Sequence, residues 1–273
     1  MGANVTLWQE VLLVLQTFAC KLCLMMDFGF FTILWASIAF IICLCLFFIT
    51  APYGRHIKEG WGPLIPARLG WILMESPCVI LVIGYAALVR QDLLIVHQIF
   101  LLIWLIHYTH RTLIYPFVMR MTNTKMPLSI ALTALLFNIV NVTVQCFGIF
   151  YFTQYSVDWM QSSQFVLGLS LFCVGMFINI KSDYIVAALK KERGPGYHIP
   201  DKFLHKYIAS PNYFGEIIEW AGWAMLTWSV SGVLFLIWTI GNLFPRALAN
   251  HRWYRENFDN YPKERKAIIP GIL

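Results

Sequence analysis

The chain has 273 residues, of which 59% are hydrophobic, 16% aromatic and only 12% charged; the net charge is +6 and the mean hydropathy +0.66. Soluble domains carry about 25% charged residues, so a water-soluble globule is excluded. Nucleic-acid binding is excluded as well, because the Lys and Arg residues fall in connections between apolar blocks and form no stripe interleaved with aromatics.

Residues 7–26 are apolar but interrupted by Gln9, Glu10 and Lys21. They predict a peripheral or interfacial helix, with a further span as the alternative. Seven apolar stretches then follow, at 28–50, 67–90, 93–116, 128–154, 163–190, 212–228 and 230–254. A span needs about 20 mostly apolar residues, so each is a candidate membrane helix, the sixth being short and charged at its start. The expected fold is an all-α integral membrane protein: a seven-helix bundle over 28–273, preceded by an N-terminal segment, 1–27. The cysteines Cys20, Cys23, Cys43, Cys45, Cys78, Cys146 and Cys173 all lie in apolar stretches and read as small buried hydrophobes.

The loop charges alternate. Arg55, Lys58 and Arg68 follow the first span, Arg120 and Lys125 the third, and Lys190, Lys191, Arg193, Lys202 and Lys206 the fifth. Arg252, Arg255, Lys263, Arg265 and Lys266 follow the seventh. The intervening loops hold only Arg90 beside Asp92, then Asp158, then no charge. By the positive-inside rule the basic loops and the C-terminus are cytosolic, in a bacterial inner membrane or an endoplasmic reticulum.

Ionisable groups within spans are costly and therefore point to function. Tyr108, Arg111 and Tyr115 share a helix face, as do Asn179 and Asp183, then Asn212, Glu216 and Glu219, then Arg246, Asn250 and Tyr254. Every stripe lies toward the predicted cytosolic end, so four helices are expected to line one cavity open to the cytosol. Glu75 stands eight residues into the second span, about 12 Å deep. Tyr108 lies at a similar depth on the next, antiparallel helix. A buried carboxyl facing a phenol can polarise a carbonyl, the phenol donating to a developing oxyanion. His107 and His110 are spaced as metal ligands can be, but no carboxylate completes a site, and no metal is expected. No G-x-G-x-x-G follows a strand, so any nucleotide must be held by helix side chains.

Several long strings now gain meaning together: M-E-S-P around Glu75, H-Y-T-H-R-T from His107, N-I-K-S-D-Y from Asn179, P-N-Y-F-G-E-I-I-E-W from Pro211, and H-R-W-Y-R-E-N-F-D-N-Y-P-K-E-R-K-A-I-I-P from His251. From about Tyr53 onward the chain resembles the steroid 5α-reductases, membrane enzymes that reduce the Δ4 double bond of 3-oxo-steroids with NADPH. The resemblance implies that Glu75 and Tyr108 polarise the 3-oxo group. It implies that Arg111, Tyr115, Asn179, Asp183, Tyr184, Asn212, Glu216, Arg246 and Tyr254 line the NADPH cavity, with Lys125 and Lys190 near phosphate. Asn250 stands where some relatives have His. The implied partners are a steroid or other hydrophobic enone and membrane lipid, with the chain a monomer. Alternative readings are an enoyl-CoA or polyprenol-type reductase, an isoprenylcysteine-type methyltransferase, and a sterol-binding membrane protein.

Overall fold

The computed structural model describes residues 27–121 and 124–273. The expected interfacial helix over 7–26 and the Cys20–Cys23 pair lie outside the described residues. The first span is α1, Asp27–Phe48. The second divides into α2, Ala67–Glu75, and α3, Pro77–Leu88. Sequence alone predicts one helix there. Proline has no N–H and its ring crowds the carbonyl four residues back, so Pro77 frees Leu73 O. Ser76 Oγ donates to that oxygen at 3.0 Å, keeping the break satisfied in an apolar setting. Glu75 is the last residue before the break.

The third span divides in the same way. Helix α4 runs Ile95–Thr109, a π-helical turn covers His110–Ile114, and α5 is Tyr115–Val118. Pro116 cannot donate back along the helix, and the backbone opens into the wider turn that carries Arg111. Helix α6, Leu128–Phe147, ends in a second π turn, Gly148–Phe152. Helices α7, Ser163–Arg193, α8, Pro211–Thr227, and α9, Val230–Asn257, complete the bundle. The helices thus fall where seven spans were expected, and the protein is a multi-pass membrane protein. Five are long and apolar enough to cross a bilayer by themselves: Asp27–Phe48, Ala67–Leu88, Leu128–Phe152, Ser163–Arg193 and Val230–Asn257. The third span is interrupted and α8 has 17 residues, so neither meets that length.

Helices α7 and α8 form the tightest seam. A Cβ on Gly175 would collide with the backbone of Glu219, and one on Gly222 with the backbone of Phe172. Small residues let membrane helices approach to backbone contact, where van der Waals packing replaces the missing hydrophobic drive. This seam sets Asn179 opposite Asn212 and Glu216. A buried aromatic cluster of Phe100, Trp104, Phe172, Trp220, Trp223 and Phe235 fills the middle of the bundle.

The basic loops gather at one end. Strand β1, Leu64–Pro66, pairs antiparallel with β2, Lys125–Pro127, in the register Leu64↔Pro127 and Pro66↔Lys125. The sequence reading contains no strand; this three-residue ribbon ties the first loop to the third. The loop after α7 meets the C-terminal tail through Ala209 N–H to Lys266 O at 2.8 Å and Lys266 N–H to Tyr207 O at 2.9 Å.

Candidate active site

Two groups of polar side chains meet on the inner face of the bundle. The first surrounds Glu75 and Tyr108, both buried. Cys78 lies three residues after Glu75, on the same side of the chain. The Tyr108 hydroxyl rests against the Cys78 thiol, and Glu75 lies within electrostatic reach of both. Trp104 Nε1–H donates to Cys78 O at 2.9 Å, which fixes α4 on α3 at this level. Among the described residues Glu75 and Tyr108 share no direct hydrogen bond. Asn138 of α6 instead donates to Met74 O at 2.7 Å and reaches Glu75 Oε2 at 3.4 Å.

The second group spans α4–α5, α7 and α8. The Arg111 guanidinium packs over the Trp71 ring at 4.9 Å and the Tyr115 ring at 4.4 Å, while Trp71 Nε1–H donates to Arg111 O at 3.1 Å. Arg111 Nη1 stands 3.9 Å from Asp183 Oδ2, a charge contact too long for a hydrogen bond. Asn212 Nδ2 donates to Asp183 Oδ1 at 3.0 Å, and Asn179 Nδ2 donates to Asn212 O at 3.1 Å and to Glu216 Oε2 at 3.0 Å. Asp183 Oδ2 is buried with no hydrogen-bond partner among the described residues. Arg111 lies within electrostatic reach of Glu75 and Glu216, so the two groups are continuous.

Beside the second group, α9 meets the loops of this end of the bundle. Arg246 donates to Tyr213 Oη at 3.1 Å, to Ala51 O at 3.0 Å and to Tyr53 O at 3.0 Å, its guanidinium 3.5 Å from the Tyr53 ring centre. The His56 ring shares a hydrogen bond of 3.0 Å with Asn250 Oδ1, and Asn250 Nδ2 donates to Ser210 Oγ at 3.3 Å. Burial holds the His56 imidazole down at about 4, so it is neutral at pH 7. Tyr254 donates to His198 O at 3.3 Å and accepts from Arg55 Nη2 at 3.4 Å. The Arg55 guanidinium sits among the rings of Tyr197, Trp253 and Tyr254, at 4.9, 5.0 and 4.5 Å, and its Nη1 is buried without a hydrogen-bond partner among the described residues.

The structure therefore brings Glu75, Tyr108, Arg111, Tyr115, Asn179, Asp183, Asn212, Glu216, Arg246, Asn250 and Tyr254 to one end of the bundle. Lys190 is half-buried at its edge, within electrostatic reach of Asp183 and Arg55. Tyr184 and Lys125 stand apart. Tyr184 is exposed and stacks on His110 at 6.1 Å, and Lys125 is exposed on β2. Among the described residues no group of three His, Cys, Asp or Glu side chains is arranged to hold a metal ion.

Several residues here were not among the expected site residues. Arg55 counted only toward topology. Asn138 begins an amide stripe, Asn138, Asn141 and Gln145, whose i, i+3, i+7 spacing in an apolar helix is a readable signal. His107 was weighed only as a metal ligand; its Nδ1 instead lies 2.6 Å from Glu219 Oε1.

The sequence profile of the 3-oxo-5-alpha-steroid 4-dehydrogenase family matches residues 124–273. The chain is 41% identical over 247 residues to the steroid 5-alpha-reductase DET2 of Solanum lycopersicum, covering 89% of this chain and 95% of that protein. It is 40% identical over 242 residues to the DET2 of Arabidopsis thaliana, covering 82% and 88%. It is 40% identical over 223 residues to the 3-oxo-5-alpha-steroid 4-dehydrogenase 1 of Macaca fascicularis, covering 81% and 84%. With a family profile over more than half of the chain and likeness of this extent, the chain belongs to the steroid 5α-reductase family.

Proposed function

We propose that this protein reduces the Δ4 double bond of a 3-oxo-steroid, taking hydride from NADPH. The observation that carries the reading is that Tyr108, against the Cys78 thiol, and Glu75, within electrostatic reach of both, are buried together and adjoin the Arg111–Asp183–Asn212 cluster. That cluster and the α9 and loop residues beside it fit a dinucleotide by their chemistry: cations for phosphate, carboxamides and carboxylates for ribose and carboxamide groups, and two buried polar atoms, Asp183 Oδ2 and Arg55 Nη1, without a hydrogen-bond partner among the described residues. Arg111, Asn179, Asp183, Asn212, Glu216, Arg246, Asn250 and Tyr254 are the residues that would hold it. When bound, NADPH supplies hydride from its nicotinamide ring to the β-carbon of the enone.

The chain's own residues do the rest. Tyr108 donates its hydroxyl proton in a hydrogen bond to the ketone oxygen as that oxygen gains enolate character, and Glu75 supports the phenol. The enolate then returns to the ketone as C4 takes a proton from solvent, so that hydride and proton together add two hydrogens. Glu75 and Tyr108 are buried, and Trp104 and Trp220 pack against the phenol ring, so the donor is held in one place. The hydrophobic substrate comes from the bilayer, and the end bearing the basic loops faces the cytosol.

The test is optical. Purified enzyme oxidises NADPH in the presence of a 3-oxo-Δ4-steroid and not with saturated steroid, and the product gains two hydrogens at C4 and C5. Tyr108→Phe lowers turnover by about 10²- to 10³-fold while NADPH still binds. Near-normal turnover in that variant removes Tyr108 from the chemistry.

A further inference from the structure

The proposed mechanism leaves one buried ionisable pair without a role. Glu219 on α8 has no exposed surface, and its Oε1 lies 2.6 Å from His107 Nδ1; its Oε2 has no hydrogen-bond partner among the described residues. A buried acid–base pair of this kind is a poor stabiliser, because desolvation offsets the attraction between its members. Its geometry suggests what it does instead.

His107 immediately precedes Tyr108 on α4. The Tyr108 ring is walled by three others: Trp104 at 4.6 Å, His107 at 4.9 Å and Trp220 at 5.9 Å. Trp104 is fixed by its bond to Cys78 O. The other two walls converge on Glu219, which binds the His107 ring directly and is followed in the chain by Trp220, itself 4.7 Å from His107. Glu219 also belongs to the other side of the site. Its backbone presses on Gly175 of α7, and Glu216, one turn earlier on the same helix, accepts from Asn179 at 3.0 Å. One rigid turn of α8 therefore joins the side chains of the nucleotide-facing cluster to the wall of the phenol.

We propose that His107 and Glu219 are positioning residues that set where the Tyr108 hydroxyl stands relative to the α7–α8 face. The pair touches no reacting atom. This inference rests on the reading of Tyr108 as the donor to the substrate oxygen.

The experiment uses the full-length protein in detergent, with NADPH and a 3-oxo-Δ4-steroid. Absence of turnover by the unaltered enzyme on any such steroid refutes the functional reading itself. With that enzyme active, Glu219→Met lowers kcat by about 10- to 100-fold, since displacement of a catalytic group by ~1 Å costs of that order. NADPH affinity stays close to that of the unaltered protein, while the thermal midpoint falls because the buried His107 ring has lost its partner. Glu219→Gln recovers kcat to within about threefold, because an amide still hydrogen-bonds the imidazole. His107→Phe combined with Glu219→Met is no slower than the slower single variant, as expected of residues acting as one unit. Should Glu219→Met fail to fold, the double variant, which leaves no unpaired buried group, carries the test alone: low kcat with retained NADPH affinity supports the proposal. Full kcat in the Met variants, equal losses of kcat and NADPH affinity, or no recovery with Gln would overturn it.

Discussion

Helices α1 and α9 are both long and apolar, and they lie against each other: Trp35 meets Trp238 at 4.7 Å, and a Cβ on Gly241 would approach Cys43 Cβ to 3.1 Å. Their surroundings differ sharply. Of the most apolar window, 11% is buried in α1 and 61% in α9. Composition is nearly the same for lipid and for protein interior, so hydropathy cannot separate these two fates. The polar residues do. Arg246, Asn250 and Tyr254 all lie on α9 and all are buried, whereas α1 carries no charged residue after Asp27 and exposes Phe30, Phe40 and Phe48. In a bilayer the helix with chemistry to protect goes to the centre, and the one without it faces lipid.

The same contrast can be broken at the seams. The largest structural effect is expected at Gly175→Ala, whose new Cβ meets the Glu219 backbone. Overpacking of this kind costs about 1–3 kcal/mol, and here it also pushes Glu219 away from His107. Thermal midpoint and turnover should fall together. An unchanged midpoint would mean the seam is looser than described. Next come the polar residues of the central helices: Asn179→Ala, Asp183→Ala and Arg246→Ala each remove a group proposed to hold the nucleotide, and since a hydrogen bond to a charged partner is worth about 1.5–3 kcal/mol, NADPH affinity should fall by roughly 10- to 100-fold. Isothermal titration in detergent measures this, and unchanged affinity in all three removes the nucleotide from this cluster.

A smaller effect is expected from acid. Burial lowers His56 and His205 from 6.5 to about 4, so both fold neutral. Their contribution is complete above pH 6.5 and is lost as the pH falls toward 4, because the unfolded chain takes up protons first. The thermal midpoint should drop across that window, and His56→Gln with His205→Gln should flatten the profile. A profile as steep in the double variant assigns the acid sensitivity elsewhere. The smallest effect belongs to Gly84→Ala on lipid-facing α3, where a Cβ meets nothing within 4 Å. Stability there should hold or rise by about 0.5–1 kcal/mol from helix propensity. A loss would place an unseen neighbour against that face.

Much of the site is legible in one dimension because membrane burial makes every charge expensive. Asp183, Glu216, Arg111 and Arg246 stand out in apolar runs, and helical spacing puts each on a face with its neighbours. The breaks were less legible. Pro77 and Pro116 are visible, but a proline inside a span can kink, split or widen a helix, and the outcome depends on whether a side chain such as Ser76 satisfies the freed carbonyl. Tyr184 shows the opposite limit: it follows Asp183 directly, and a 100° step around the helix turns it outward to His110.

By itself the sequence determined the order and bounds of the apolar stretches, the gathering of basic loops at one end, and the residues too polar to be left in lipid, since all three follow from the cost of moving charge into hydrocarbon. Only the tertiary structure decided partners. That Glu219 answers His107, that Asn138 reaches Glu75, and that Arg246 anchors the first loop through Ala51 and Tyr53 depends on which faces approach and how closely. Those approaches are set where glycines let two helices close to backbone contact and prolines break them.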